Sequence, residues 1–408
     1  MRNTWLSLAS VLAISVVAAC SGSKSNSGFD DPNGGGGAGS SGTNGFGSSG
    51  NGTPGAACVP DPKNAEIPGN NCDDDGDGKV DNPPVCDDAP GTGAEDFAKA
   101  LGICTKASDK GYGLVSATFQ QGFGGGAGND AQHGVLPKFG NVIKPREGKS
   151  LGVLSTGYAQ EFDGSPGESF GGQEIDTSGG IPSPIDHGKD WKETGTLPAG
   201  FPKAATGCQQ SDQIHDPIEV KLVVKTPPNA SGVKFDFNFY SGEWPAYICS
   251  PFNDGFIAYL SAKGFNSGKP DNMSFDKNNN PVSVNNGFFD RCTPSVDTGC
   301  APQAKPGTSQ CPGGTSELDG TGFGIVKKWC EAYSFDPFTG TSSKPGKDST
   351  SGGATGWLTS QAPVQPGEEF TIEFILWDTG DGILDSSVLI DNFTWAAGKV
   401  DVSTSRPN

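Results

Sequence analysis

The sequence predicts an all-β protein: an antiparallel, jelly-roll-like β-sandwich with long disulfide-braced loops, preceded by a small cysteine-rich module. Three observations lead there. Segments that alternate apolar and polar residues recur along the second half of the chain, the pattern of strands with one face in a core. Glycine and proline number 63 and 31 of 408 residues, too many for a helical bundle and well suited to turns between short strands. The 11 cysteines, in so loop-rich a chain, point to an oxidising compartment and to cross-linked loops.

In chain order, Arg2 supplies a positive first region, and residues 5–17 are apolar over a length too short for a stable membrane span. Val17-Ala18-Ala19-Cys20 then resembles the lipobox of bacterial lipoproteins. The resemblance implies a signal peptide at 1–19 and lipidation of Cys20, against the alternative of an ordinary signal peptide with a cysteine nearby. Acyl chains contribute about 0.8 kcal/mol per buried methylene, so several of them hold firmly. Ser21 after such a cysteine implies an outer-membrane or cell-surface address. No later segment is long and apolar enough to span a bilayer. Residues 20–56 are almost all Gly, Ser and Asn, cannot bury enough area to offset their ordering entropy, and read as a flexible tether.

Residues 57–105 hold Cys58, Cys72, Cys86 and Cys104, whose three possible pairings the sequence leaves open. Residues 94–102, with Phe97 and Leu101 on one face, read as a short closing helix. From about Tyr112 the pattern turns to strands and continues to about residue 400. The clearest strand is 233–240, where Val233, Phe235, Phe237 and Phe239 alternate with polar residues. Residues 370–377 and 388–395 read the same way, and 218–226, 255–261 and 151–156 more weakly. Cys208, Cys249, Cys292, Cys300, Cys311 and Cys330 fall mostly between strands, where disulfides brace segments without a core of their own. Trp377 and Trp395 read as core residues, whereas Trp244 and Trp357 fall in loops and stay open between core and a sugar-stacking surface.

The most chemically specific run is 72–81, which fits D-x-D-x-D-G-x-x-D. Calcium takes six to eight hard oxygens, and carboxylates at alternating positions of a tight loop converge on one centre. Asp73, Asp75 and Asp77 would supply side chains, Lys79 a backbone carbonyl and Asp81 a further carboxylate, with Gly78 at the sharp turn. Pro84 stands where an EF-hand has its bidentate glutamate. The run therefore resembles the calcium repeats of thrombospondin type 3 and dockerin, and a short acidic metal-binding motif of bacterial surface proteins. On this basis the cysteine-rich segment is a calcium-loop module with a structural calcium; without an ion it is a solvated acidic turn.

Residues 235–261 resemble the choice-of-anchor L domain, as do 152–157 and 378–393, in the family's order over about 110–396. The resemblance implies a bacterial surface or secreted protein built on a β-sandwich, with no established catalytic activity. The chain departs from the family pattern in a cysteine-rich insertion at about 286–350 and in Trp244, where a polar residue is usual. Within the matching stretches, Glu243, Asp254, Asp381, Asp385, Asp391 and Asn392 fall at strand ends or turns and form a candidate second metal site; ordinary turn chemistry is the alternative. Asp391 interrupts an apolar run, so it must face solvent, pair with a base or ligate a metal.

The formal net charge of -19, from 47 acidic and 28 basic residues, repels phosphate backbones and argues against nucleic-acid binding. Only three histidines are present, which thins the supply of general bases and zinc ligands. Gly148-Lys149-Ser150 mimics the end of a phosphate-binding loop, but Ile143 stands at the required first glycine. No H-E-x-x-H occurs. The expectation is a non-catalytic binding or adhesion protein, held to membrane through its lipid, that meets a glycan or a surface protein. A structural envelope protein and an uncharacterised hydrolase are the alternatives.

Overall fold

A computed structural model of the protein describes residues 58–88, 91–162, 185–187, 190–330 and 348–407, together with the backbone of four two-residue strands, Ser169–Phe170, Gln173–Glu174, Phe335–Asp336 and Thr341–Ser342. The signal peptide expected at 1–19, the lipidated Cys20 and the tether at 20–56 lie outside the described residues.

Twelve strands build two sheets. In chain order they are β1 (Gly113–Gln120), β2 (His133–Leu136), β3 (Leu151–Ser155), β4 (Ile214–Lys225), β5 (Gly232–Ser241), β6 (Gly255–Ser261), β7 (Asp271–Asn272), β8 (Gly353–Ala354), β9 (Leu358–Pro363), β10 (Glu369–Thr379), β11 (Ser386–Ala396) and β12 (Ser403–Ser405). One sheet has five strands in the order β1-β4-β10-β6-β7. The other has seven, β2-β3-β11-β5-β9-β12, with β8 also paired to β5. Every pairing within the two sheets is antiparallel. The predicted all-β sandwich is the fold.

Alternation decides what each strand buries, because side chains two apart share a face. Val220, Leu222 and Val224 of β4, Phe256, Ala258 and Leu260 of β6, and Phe370, Ile372, Phe374 and Leu376 of β10 point from the five-stranded sheet into one core. From the opposite sheet come Val233, Phe235, Phe237 and Phe239 of β5, with Val388 and Ile390 of β11. Phe235 meets Phe374 edge-on at 4.8 Å across the gap. Each fully buried Phe or Leu contributes about 1.5–3 kcal/mol, so this stripe is the main stabilising layer. Trp377, Ile375 and Ile257 occupy the opposite face of their sheet.

The outer face of the seven-stranded sheet is buried as well. Leu151, Val153, Tyr240 and Leu389 pack there against Phe139, Leu318, Phe323 and Trp329. Much of that cover is the cysteine-rich insertion, cross-linked by Cys292–Cys311 and Cys300–Cys330. Cys208–Cys249 fastens the loop before β4 to the turn after β5. The four cysteines of the first module pair as Cys58–Cys72 and Cys86–Cys104.

That module is bound to the sandwich. Its helix α1 (Ala94–Ala100) carries Glu95 and Asp96 in the first turn and Lys99 in the last, which suits the helix dipole. Its Phe97 is completely buried and meets Phe119 of β1 edge-on at 5.6 Å. Gly152 of β3 leaves the space for this ring, since a Cβ there would lie 2.4 Å from it. The helix ends at Leu101, followed by Gly102 in the left-handed region. Asn229 exchanges two hydrogen bonds with the backbone of Ala65, and the Asp87 carboxylate accepts from Lys149 N, Ser150 N and Ser150 Oγ. The Gly148-Lys149-Ser150 run thus closes around a carboxylate of its own chain. Among the described residues no helix is long and apolar enough to cross a membrane.

Candidate functional site

The acidic loop is shaped by its glycines and by its own amides. Gly76 and Gly78 turn the chain with φ of 73° and 89°. Asp73 Oδ2 accepts from Gly78 N at 3.0 Å, and Asp75 Oδ1 accepts from Asp77 N at 3.2 Å. Oxygen atoms of Glu66, Asp73 and Asp75 all lie within 4.8 Å of one another, and this is the one such group of three or more acidic, histidine or cysteine residues among the described residues. Glu66 is buried and accepts from the amides of Asp74 and Asp81. Burial raises its pKa from the ordinary glutamate value, against those amides. Asp73 Oδ1 is buried with no hydrogen-bond partner. The donor set is oxygen alone, which fits a hard cation such as calcium.

Two of the other sequence-predicted ligands of this loop, Asp77 and Asp81, are engaged elsewhere. Asp77 accepts from Asn82 Nδ2 and Lys79 N, and those two bonds lower its pKa. Asp81 accepts from the amides of Asn70 and Asn71. Glu66, seven residues before Asp73, takes a place that the loop spacing assigns to no residue. Beside the trio lies a cavity of about 210 Å³ whose walls include Glu66, Asp75, Lys110, Tyr112, Phe393 and Trp395.

The second set of predicted ligands falls into two groups. Asp391 accepts from the backbone amides of Arg146, Glu147 and Asn392, while Asn392 Nδ2 donates to Asp236, which also pairs with Arg146. Burial pushes the Asp391 carboxyl up to about 7, against the pull of those amides. Asp385, before the start of β11, is six residues away along the chain, or about 20 Å at strand rise. Asp391 and Asn392 therefore belong to a structural knot of their own.

Glu243, Asp254, Asp381 and Asp385 gather at the opposite end of β11, joined by Asp216 and Asp378, which the sequence reading did not assign. The reason is alternation. The inward stripe of β10, Phe370 to Leu376, continues two residues on to Asp378, and that of β6 runs back to Asp254, while β4 presents Asp216 at a bulge, with φ of 45°. The facing strands end in kind, with Thr156 after β3, Ser241 closing β5 and Ser386 opening β11, all fully buried. An oxygen-rich layer thus caps the apolar core.

Within that layer His187 links two carboxylates, with Nδ1 2.8 Å from Asp385 Oδ1 and Nε2 3.3 Å from Asp216 Oδ2. Burial opposes its charge, but Asp385 and Asp216 outweigh it and push the imidazolium up to about 10. Trp191 stacks on the ring at 4.9 Å. Asp254 accepts from Ser386 Oγ at 2.7 Å and Thr379 N at 3.1 Å, yet burial and the nearby Asp381 hold its carboxyl up to about 8. The Asp378 carboxyl lies within hydrogen-bonding reach of the Asp254 carboxyl and of Thr156, whose hydroxyl also bonds the Ser386 backbone. Burial first, then Asp254, Asp385 and Asp216, raise its pKa well above the ordinary value. Glu243 is raised likewise by burial and by Asp254. Asp381 sits at the rim, and His215 pairs with Asp190 at 2.7 Å.

No curated protein and no solved structure matches the chain. A family model does match: residues 212–394, from the approach to β4 almost to the end of β11 and including the whole acidic layer except His187 and Thr156, are similar to the choice-of-anchor L domain, which associates the chain with the cell surface.

Proposed function

We propose that the protein is a lipid-anchored, surface-displayed, non-catalytic binding protein whose ligand cleft is organised by calcium. The observation that carries the reading is the Glu66–Asp73–Asp75 trio, three carboxylates drawn within 4.8 Å, of which Glu66 and Asp75 line a cavity. Three such groups repel one another; Lys110, 3.9 Å from Asp75, answers part of that charge, and a hard divalent ion is the cation oxygen donors select for the rest. Tyr112, Phe393 and Trp395 on the same cavity wall offer aromatic surface to a glycan or a peptide side chain. The lipobox-like stretch ending in Cys20 supports attachment, and the tether that follows supplies reach.

Calorimetric titration of calcium into chelator-treated protein tests the reading. Saturable binding is expected, with one ion fewer in Asp73→Asn/Asp75→Asn and the full number kept in Asp77→Asn. A glycan array probed in calcium and again in chelator tests the cleft, with Trp395→Ala as the control. A calcium stoichiometry unchanged from wild type in the Asp73/Asp75 variant would sink the assignment of the loop. Fatty-acid labelling that persists in Cys20→Ser would sink the anchor.

A further inference from the structure

We propose that the protein cuts its own chain once, between Asp216 and Pro217, with the Asp216 side chain as the nucleophile.

The bond is singled out by its backbone. A residue before proline is pressed toward extended conformations with negative φ, yet Asp216 has φ of 45°. It stands at the bulge where β4 slips against β10, and its surroundings hold it there. Its N–H donates to Lys192 O at 3.0 Å, its Oδ1 accepts from Lys192 N at 2.6 Å, and its carbonyl accepts from Gln132 Nε2 at 2.9 Å. A backbone kept in so sparsely populated a region stores strain, and strain of this kind gathers where a mechanism uses it. Asp61–Pro62 is the same dipeptide on the surface, with an ordinary negative φ.

The contacts fit the chemistry. An aspartate carboxyl reaches its own peptide carbonyl by closing a five-membered ring, so nucleophile and target are always adjacent. A carboxyl oxygen of Asp216 attacks the Asp216 carbonyl carbon. The charge that builds on the carbonyl oxygen meets the fully buried Gln132 amide, placed as an oxyanion donor. The C–N bond to Pro217 then breaks, and the proton of the Asp216 carboxyl passes to the proline nitrogen, which leaves as a secondary amine. The cyclic anhydride left on Asp216 takes up one water and opens to two carboxyls. The balance is one peptide bond and one water, with no oxidant or reductant. His187 Nε2, 3.3 Å from Asp216 Oδ2, is the source of the carboxyl proton. His187, Asp190 and Asp378 are the charged groups that face Asp216; burial favours its protonated form, while His187 and the Lys192 amide oppose it, so mild acid speeds the cut.

The two products stay together. β1, β2 and β3 lie on one side of the bond and β5 to β12 on the other, both sheets hold strands of each, and Cys208–Cys249 spans the cut.

Full-length protein, folded and held in mildly acidic buffer, tests this in calcium and in chelator alike. One band is expected on a non-reducing gel and, with time, two on a reducing gel. Mass spectrometry should find one fragment ending at Asp216 and the other beginning Pro217-Ile218-Glu219. Pro217→Ala should stop the cut, and Gln132→Leu should slow it about 10²–10³-fold. A wild type that stays intact overturns the inference, whatever the variants do. Equal cutting at Asp61–Pro62, or cutting as fast after unfolding in urea, would mean ordinary acid lability of such bonds and overturns it too. So does an undiminished rate in a folded Gln132→Leu protein.

Discussion

Replacing His187 by leucine removes the one positive charge in the core-end layer while keeping most of its volume. In the wild type the imidazolium contacts Asp385 at 2.8 Å and Asp216 at 3.3 Å, and all three side chains are within 3% of full burial. Raising an imidazole from 6.5 to about 10 corresponds to about 5 kcal/mol of folded-state preference for the charged form. Breaking a buried pair from one side typically costs about 3–5 kcal/mol, because the partner charges stay buried. His187→Leu should therefore lose about 3–5 kcal/mol near neutral pH. The sign of the pH dependence is fixed by the raised value: the wild-type contribution is complete below 6.5 and disappears as pH rises through about 10. The gap between wild type and variant should accordingly narrow from neutral to strongly alkaline pH. Urea unfolding followed by tryptophan fluorescence at several pH values measures it. A neutral-pH difference under about 1 kcal/mol, or a difference that does not narrow at alkaline pH, would refute the reasoning.

Three further outcomes are expected. Phe97→Ala should cost about 3–5 kcal/mol and expose the segment between α1 and β1 to proteases, since its buried ring is what seats the helix on Gly152; unchanged proteolysis would mean the helix docks by other contacts. Glu219 lies fully buried beside Glu373, and burial followed by that neighbour holds its carboxyl up to about 8. Its stabilising contribution is present below 4.5 and lost as pH rises through about 8, so Glu219→Gln should flatten the fall in melting temperature across that window, and a profile parallel to wild type would contradict it. Removing Cys300–Cys330, which spans 30 residues, should cost about 3.5 kcal/mol by loop entropy, read from urea midpoints of the double serine variant.

The strands that could be read directly are those densest in large apolar groups. Residues 233–240, 370–377 and 388–395 each carry four or more large apolar groups, and each lies within β5, β10 or β11. The strands at 218–226, 255–261 and 151–156 were also legible. By contrast β9 reads LTSQAP, and β1 has a mixed burial pattern broken by a bulge between Leu114 and Ser116. Their strand character comes from partners distant in sequence, which no local period records. Disulfide pairing was open for the same reason. In the acidic loop the spacing pointed to Asp73 and Asp75, but Glu66 reaches them through a chain reversal that spacing does not encode. Asp378 had a readable signal, since it extends the inward stripe of its strand by one step of two, whereas Asp216 sits at a bulge that alternation does not encode. His187 had none: it reaches Asp216 and Asp385 from a loop.

The outer rows of backbone amides in both sheets are kept short or interrupted. The five-stranded sheet ends on a bulged β1 and on the two-residue β7; the seven-stranded sheet ends on β2 and on the three-residue β12. A long, flat outer strand is a template onto which another chain can add, and these are poor templates. Copies packed side by side at high density would thus resist growing into continuous sheets, and chain-to-chain recognition is left to side chains and loops rather than to backbone ladders.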